Sequence, residues 1–215
     1  MSWLSWLEVV FLVKVINKKE HVMKFYIDIS LLPSIEIPLH FLWEKVYQQI
    51  HLAFVENQDS SGKISIGVSF PEYNDKHNQL GSKLRLLAFS KNELEELDIN
   101  KWLLRLKDYV HITGIRNVPE TIDGCAFFMR VQIKSSNSRL ARRKAERENT
   151  SYEEALAQLS MRIEGTSNLP YTQMKSLSSD RRYRLMIGYE KADCVSKGEG
   201  FSTYGLSSKC SVPIF

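Results

Sequence analysis

From Met23 onward the spacing of apolar residues switches between two periods, and the order of the switches limits the folds open to this chain. In residues 24–31, Phe25, Ile27, Ile29 and Leu31 alternate with Tyr26, Asp28 and Ser30, the period of a half-buried strand. A helix is expected after Pro38, whose fixed φ suits a first helical turn. Its apolar stripe is Leu39, Leu42, Trp43, Val46, Ile50 and Ala53, at spacings of three and four. Residues 63–70 and 83–89 read as two strands, and residues 111–118 as a fourth. Between them, Ser90 and Glu93 form a capping-box pattern for a helical region ending near Val110. The order βαββαβ is the ferredoxin-like (RRM-like) arrangement, two helices on one face of a four-stranded antiparallel sheet, so the expected class is α+β.

The character of the chain changes after residues 119–124, which places a domain boundary near residue 120. Residues 23–120 form the expected ferredoxin-like domain, and residues 121–215 a smaller C-terminal α/β domain carrying an arginine-rich helix. Residues 126–134 read as a strand with Arg130 and Gln132 on one face. Ser136, Asn137 and Ser138 offer side-chain oxygens to cap the basic helix, and Ser151 with Glu154 suggests a second capping box before Leu156, Leu159 and Ile163. The remainder alternates short strands with turns, at residues 184–189 and 201–207. Residues 1–22 are apolar in look, but Glu8 and Lys14 interrupt the run and leave it too short to span a bilayer. No basic residue precedes the apolar part, as a signal peptide requires. The clean strand start at Met23 makes residues 1–22 an upstream extension or a misassigned start.

Charge is distributed unevenly. The net charge is only +4, yet the stretch from Arg130 to Arg147 holds seven basic residues against the single acid Glu146. The rest of the chain is therefore slightly negative, and the positive surface is concentrated as a phosphate-binding one would be. On a helix Arg139, Arg143 and Arg147 stack four apart along one stripe, Arg142 and Lys144 widen it, and Glu146 can pair with Arg142. Most basic helices are merely solvated faces, but here few acids are interleaved to satisfy the arginines. Arg and Gln can read guanine and adenine edges through paired hydrogen bonds, although two polar residues on a strand need no function. His51 lies beside the apolar stripe and not on it, so it is available for proton transfer near neutral pH. His21, His40, His77 and His111 could claim the same role on spacing alone. No HxxxH, HExxH or acidic cluster suggests a metal, and no glycine-rich loop precedes a helix as a nucleotide site would need. Cys125, Cys194 and Cys210 are odd in number and widely spaced, so neither a disulfide framework nor a zinc site is expected, and a reducing cytosol is the simpler setting.

From Met23 to its end the chain resembles the subtype I-F CRISPR repeat endoribonucleases, the Csy-type RNA-processing nucleases. The resemblance is carried by FYIDISLLP, VYQQIH, IGVSFP, RVQ before RLARRKAER, LPYTQMKSLSS before YRLMI, and GFSTYGLSSKCSVPIF, in that order. It implies that the catalytic histidine is His51, the catalytic serine Ser176, and the tyrosine that positions the histidine Tyr204. Ser178, two residues on, faces the same side as Ser176 if the segment is extended. Arg130 and Gln132 fall on the positions that read the base of the stem, and Tyr183 on the aromatic that stacks on the closing base pair, where relatives carry Phe. Arg139, Arg142, Arg143 and Arg147 fall on the groove-binding arginines. Glu146 stands where a basic residue is expected, and the final aromatic pair is reduced to Ile214-Phe215.

The resemblance further implies a cytoplasmic, metal-independent endoribonuclease without cofactor or membrane partner. It would cleave CRISPR precursor RNA at the 3′ base of each repeat stem-loop and stay on the hairpin with other subunits of a subtype I-F surveillance complex. The rival reading is a non-catalytic RNA-hairpin scaffold on the same fold. A basic helix that binds duplex DNA is separable from both by competition between hairpin RNA and DNA.

Overall fold

The computed structural model describes residues 23–132, 137–159, 168–194 and 200–215. Residues 1–22, read from the sequence as an extension, and Lys134, Ser136 and Ile163 lie outside them. The first half of the described chain runs β1 (Phe25–Leu31), α1 (Leu39–Glu56), β2 (Gly67–Ser69), β3 (Lys83–Ala88), α2 (Lys91–Leu97), α3 (Ile99–Leu103), β4 (Val110–Ile112) and β5 (Arg116–Asn117). The second half runs β6 (Gly124–Val131), α4 (Asn137–Glu148), α5 (Tyr152–Leu159), β7 (Tyr171–Lys175), β8 (Arg182–Ala192) and β9 (Val212–Ile214). The strands form two antiparallel sheets, ordered β2-β3-β1-β4 with β5 also on β1, and β7-β8-β6-β9.

Where residues 111–118 suggested one strand, two short ones pair with β1. The register passes from Ile29 opposite Ile112 to Tyr26 opposite Arg116, so residues 113–115 span only Ile27 and Asp28. One residue too many faces β1, and the ladder breaks there as at a bulge. Thr113 covers the gap: its N–H donates to the Asp28 carbonyl at 3.0 Å and its hydroxyl accepts from the Asp28 N–H at 3.0 Å. The helical region after Ser90 is likewise interrupted. Its capping box forms as expected, with Ser90 and Glu93 each accepting from the other's main chain, but Asp98 adopts a left-handed φ of 41° that ends α2 before α3 begins.

β1 is not half-buried. Tyr26 and Asp28, expected on the solvent face, are 9% and 8% exposed because Arg85 and Phe215 cover them. In α1, Leu42, Trp43, Val46, Ile50 and Ala53 are buried as the stripe predicts, whereas Leu39 is exposed and Tyr47 and Phe54 join the core. These helix rings begin a chain of aromatic contacts that crosses to the second sheet. Tyr47 stacks on Phe70 with ring centroids 6.1 Å apart, and Phe70 meets Phe128 of β6 edge-on at 5.3 Å. A single buried cluster thereby runs through both sheets.

Cys125 and Cys194 form a disulfide, which corrects the expectation that no cysteine pairs. The cause is register: β6 pairs with β8 so that Cys125 lies opposite Ala192, two residues before Cys194, a proximity that a sequence separation of 69 conceals. Cys210 is free and buried. No helix among the described residues is long and apolar enough to cross a membrane.

Candidate active site

Three parts of the chain meet around His51. The first is α1, which packs on β7, where the Gln48 side-chain oxygen accepts the Lys175 N–H at 3.1 Å. One turn beyond Gln48, the same face of α1 presents His51. The second part is the β7–β8 turn. Ser176 N–H donates to the Arg181 carbonyl at 2.9 Å, so residues 177–180 are a tight connection and not the extended segment considered for Ser178. The turn itself gathers the hydroxyls: Ser176 Oγ lies 3.2 Å from Ser178 Oγ and accepts from Ser179 Oγ at 2.9 Å. Ser179, which the sequence reading missed, also donates its N–H to Ser176 at 3.4 Å. Accepting twice from Ser179, Ser176 has its own proton to donate, with Ser178 Oγ within reach.

The third part is the segment at residues 201–207, expected as a short strand. It makes only a bridge, Phe201 to Ile64, and then turns tightly, with Gly205 N–H donating to the Ser202 carbonyl at 2.7 Å. Gly205 has a φ of +69°, and a Cβ there would run into the Val68 side chain. Glycine thus permits both the backbone conformation and the close approach of this turn to β2. The buried Tyr47 hydroxyl donates to the Tyr204 carbonyl at 2.9 Å, which pins the turn to α1.

Pinned in this way, Tyr204 lies flat on His51, ring centroids 4.3 Å apart and planes within 7°. The neighbouring Thr203 carbonyl is 2.7 Å from His51 Nδ1. A carbonyl only accepts, so Nδ1 carries the proton, and in the neutral ring Nε2 is left as the base. Desolvation by burial lowers the His51 pKa below 6.5; the Thr203 hydrogen bond opposes that, and the Arg130 charge adds to it. The Tyr204 hydroxyl meets that of Tyr183 at 2.7 Å, and the Arg130 guanidinium lies 5.4 and 5.6 Å from the two ring centroids. Burial and this hydrogen bond hold the Tyr183 phenol protonated.

His51, Arg130, Ser176, Ser178, Tyr183 and Tyr204 all line one open cavity of about 560 Å³. Gln48 and Lys175, neither singled out from the sequence, line it as well, and among the described residues no carboxylate does. Gln132 is exposed just past the end of β6 and does not line the His51 cavity. Arg139, Arg142, Arg143 and Arg147 are exposed on α4, whose buried side chain is Ala141 and which packs on α5. The expected Arg142–Glu146 pair does not form. Glu148 instead meets Arg147 at 2.7 Å and Lys144 at 3.8 Å. The second capping box forms at α5, with Glu154 N–H donating to Ser151 Oγ at 3.2 Å and Ser151 N–H to the Glu154 carboxylate at 3.4 Å.

Residues 26–215 match the family described as CRISPR-associated protein (Cas_Csy4). A protein of Escherichia coli (strain UTI89 / UPEC) named CRISPR-associated endonuclease Cas6/Csy4 is 34% identical over 196 residues, covering 90% of this chain and 100% of that protein. One of the same name from Pseudomonas aeruginosa (strain UCBPP-PA14) is 33% identical over 193 residues, again covering 90% and 100%. Among solved structures, one described as "Characterization of a Cas6-related gene from Pyrococcus furiosus" covers 89% of this chain and 98% of that one, at 13% identity and a TM-score of 0.32.

Proposed function

The chain belongs to the Cas_Csy4 family of CRISPR-associated proteins, and on that premise we propose that it is the endoribonuclease that cuts CRISPR precursor RNA at the 3′ base of each repeat stem-loop. The observation that carries this reading is the His51 arrangement: Nδ1 is committed to the Thr203 carbonyl and the ring to Tyr204, leaving Nε2 as a base in the cavity that Ser176 also lines. The reaction is metal-independent. The 2′-hydroxyl of the nucleotide before the cut loses its proton to His51 Nε2, O2′ bonds to phosphorus, and the P–O5′ bond breaks. The products are a 2′,3′-cyclic phosphate and, once O5′ is protonated, a 5′-hydroxyl. Ser176 orients the 2′-hydroxyl, Tyr204 fixes the imidazole, and Arg130 supplies positive charge where the phosphate accumulates negative charge.

Residues 23–120 act as a ferredoxin-like domain, a reading favoured by the strand order β2-β3-β1-β4. Residues 121–215 form the RNA-binding part. Tyr183 stacks on the closing base pair, Arg130 and Gln132 read its groove edge, and the α4 arginines follow the backbone of the stem. The cut hairpin stays bound, with the enzyme as a subunit of a subtype I-F surveillance complex.

The test is incubation of the purified protein, in EDTA, with a labelled repeat stem-loop RNA, followed by mapping of the product ends. One cut at the 3′ base of the stem with a cyclic phosphate is expected. Tight binding without a cut would mean a hairpin-binding scaffold instead. His51→Ala should lower the cleavage rate about 10²–10⁴-fold, the usual contribution of positioned acid–base catalysis, with hairpin affinity retained. A deoxyribose at the nucleotide before the cut should abolish cleavage, because it removes the nucleophile.

A further inference from the structure

Arg130 and Tyr204 form a wall shared by two cavities. One holds His51; the other, of about 620 Å³, is lined further by Lys63, Ser202, Ser207, Ser208 and Lys209. That volume lies within the roughly 300–1,000 Å³ usual for small-ligand sites, room enough for a nucleotide. Among the described residues no carboxylate lines it. Lys63 and Lys209 are exposed, and neither makes a salt bridge among the described residues. Asp59, the nearby acid, has its Oδ1 taken by the Ser61 hydroxyl and by the main-chain N–H groups of Ser61 and Lys63. Two cations and three hydroxyls are groups that bind phosphate and sugar oxygens. Their position is set by the Ile64–Phe201 bridge, two hydrogen bonds of 3.0 and 2.8 Å that join the loop segment after Lys63, outside β2 although a strand is expected over residues 63–70, to the segment bearing Ser202.

We infer that this cavity takes the single-stranded RNA immediately 3′ of the scissile phosphate, an inference that rests on the nuclease reading of the His51 site. The phosphate that is cut lies at His51, with the end of the stem on the Ser176 and Tyr183 side. The chain that continues past it crosses Arg130 and Tyr204 and meets the two lysines. His51 occupies one face of the Tyr204 ring, and no other aromatic residue among those described lines this cavity, so the contact is chiefly to the backbone and tolerates any sequence.

The experiment uses the full chain and repeat hairpins made uncleavable by a deoxyribose before the cut. They carry no flank, a 3′ flank of one to five nucleotides, or a 5′ flank of equal length. The 3′ flank should tighten binding whatever its base sequence, and K63Q/K209Q should remove that gain while binding the flank-free hairpin as the unaltered protein does. Two phosphate contacts to a single strand should steepen the log–log salt dependence by about 1.4, so the flank's advantage shrinks about sevenfold between 50 and 200 mM salt. Equal binding with and without the 3′ flank would overturn the inference, as would a gain that survives the double substitution or comes from the 5′ flank. Failure to bind even the flank-free hairpin would remove the nuclease reading, and this inference with it.

Discussion

At the scale of the residue, His51 is determined by what its two ring nitrogens touch. The Thr203 carbonyl selects the tautomer, and burial favours the neutral ring over the charged one. On the proposal that His51 is the base, it must be unprotonated to act, so the active fraction should rise as pH passes upward through the His51 pKa. That pKa is lowered from 6.5. The expected profile of kcat/KM therefore rises below pH 6.5 and is flat above it; a rising limb centred above 6.5 would show that another group supplies the base. The residue type and its place beside the apolar stripe were legible in the sequence. The partner of Nδ1 was not, since Thr203 is 152 residues away and contributes only its main chain.

At the scale of the element, the site depends on two turns and one helix. The turn at Gly205 aligns Tyr204 with His51, and it accepts no Cβ. Gly205→Ala should lower stability by about 1–3 kcal/mol, the range for a non-glycine residue held in a disfavoured conformation, and cleavage should fall with it. Thermal unfolding beside a cleavage assay checks this. The β7–β8 turn brings Ser176, Ser178 and Ser179 together by folding back, which spacing along an extended segment could not foretell. Helix α4 is the opposite case: its arginine stripe follows from four-residue spacing, and Arg142 and Arg143 are exposed and make no ion pair among the described residues. Arg143→Ala should flatten the salt dependence of hairpin binding by about 0.7–0.9 on the log–log plot, measured by titration at several salt concentrations. An unchanged slope would mean that α4 does not follow the backbone.

At the scale of the whole molecule, Arg85 ties the two ends of the described chain together. Its guanidinium donates to both Asp28 carboxylate oxygens, at 2.7 and 3.1 Å, and to the Phe215 main-chain oxygen at 2.7 Å. It also lies 3.8 Å from the Phe215 ring centroid and 4.7 Å from that of Tyr26. Asp28→Ala would leave a buried guanidinium without its counter-charge, so a loss of about 3–5 kcal/mol is expected. Urea unfolding should show a lower midpoint with the slope unchanged. This clamp explains why β1 is covered on both faces although its sequence alternates like a half-buried strand.

Local signals carried the sequence reading as far as they reach. Periodicity placed β1, α1 and β3, capping boxes marked the starts of α2 and α5, and resemblance to a family nominated His51, Ser176 and Tyr204. Each of these depends on residues within a few positions of one another, or on motifs in a fixed order. The pairing of Cys125 with Cys194, the bulge opposite Asp28, the Arg85 clamp and the His51–Thr203 hydrogen bond were decided only by the tertiary structure. Their partners are distant in sequence, or are main-chain groups that every residue carries, and only packing of the two sheets around α1 brings them within reach.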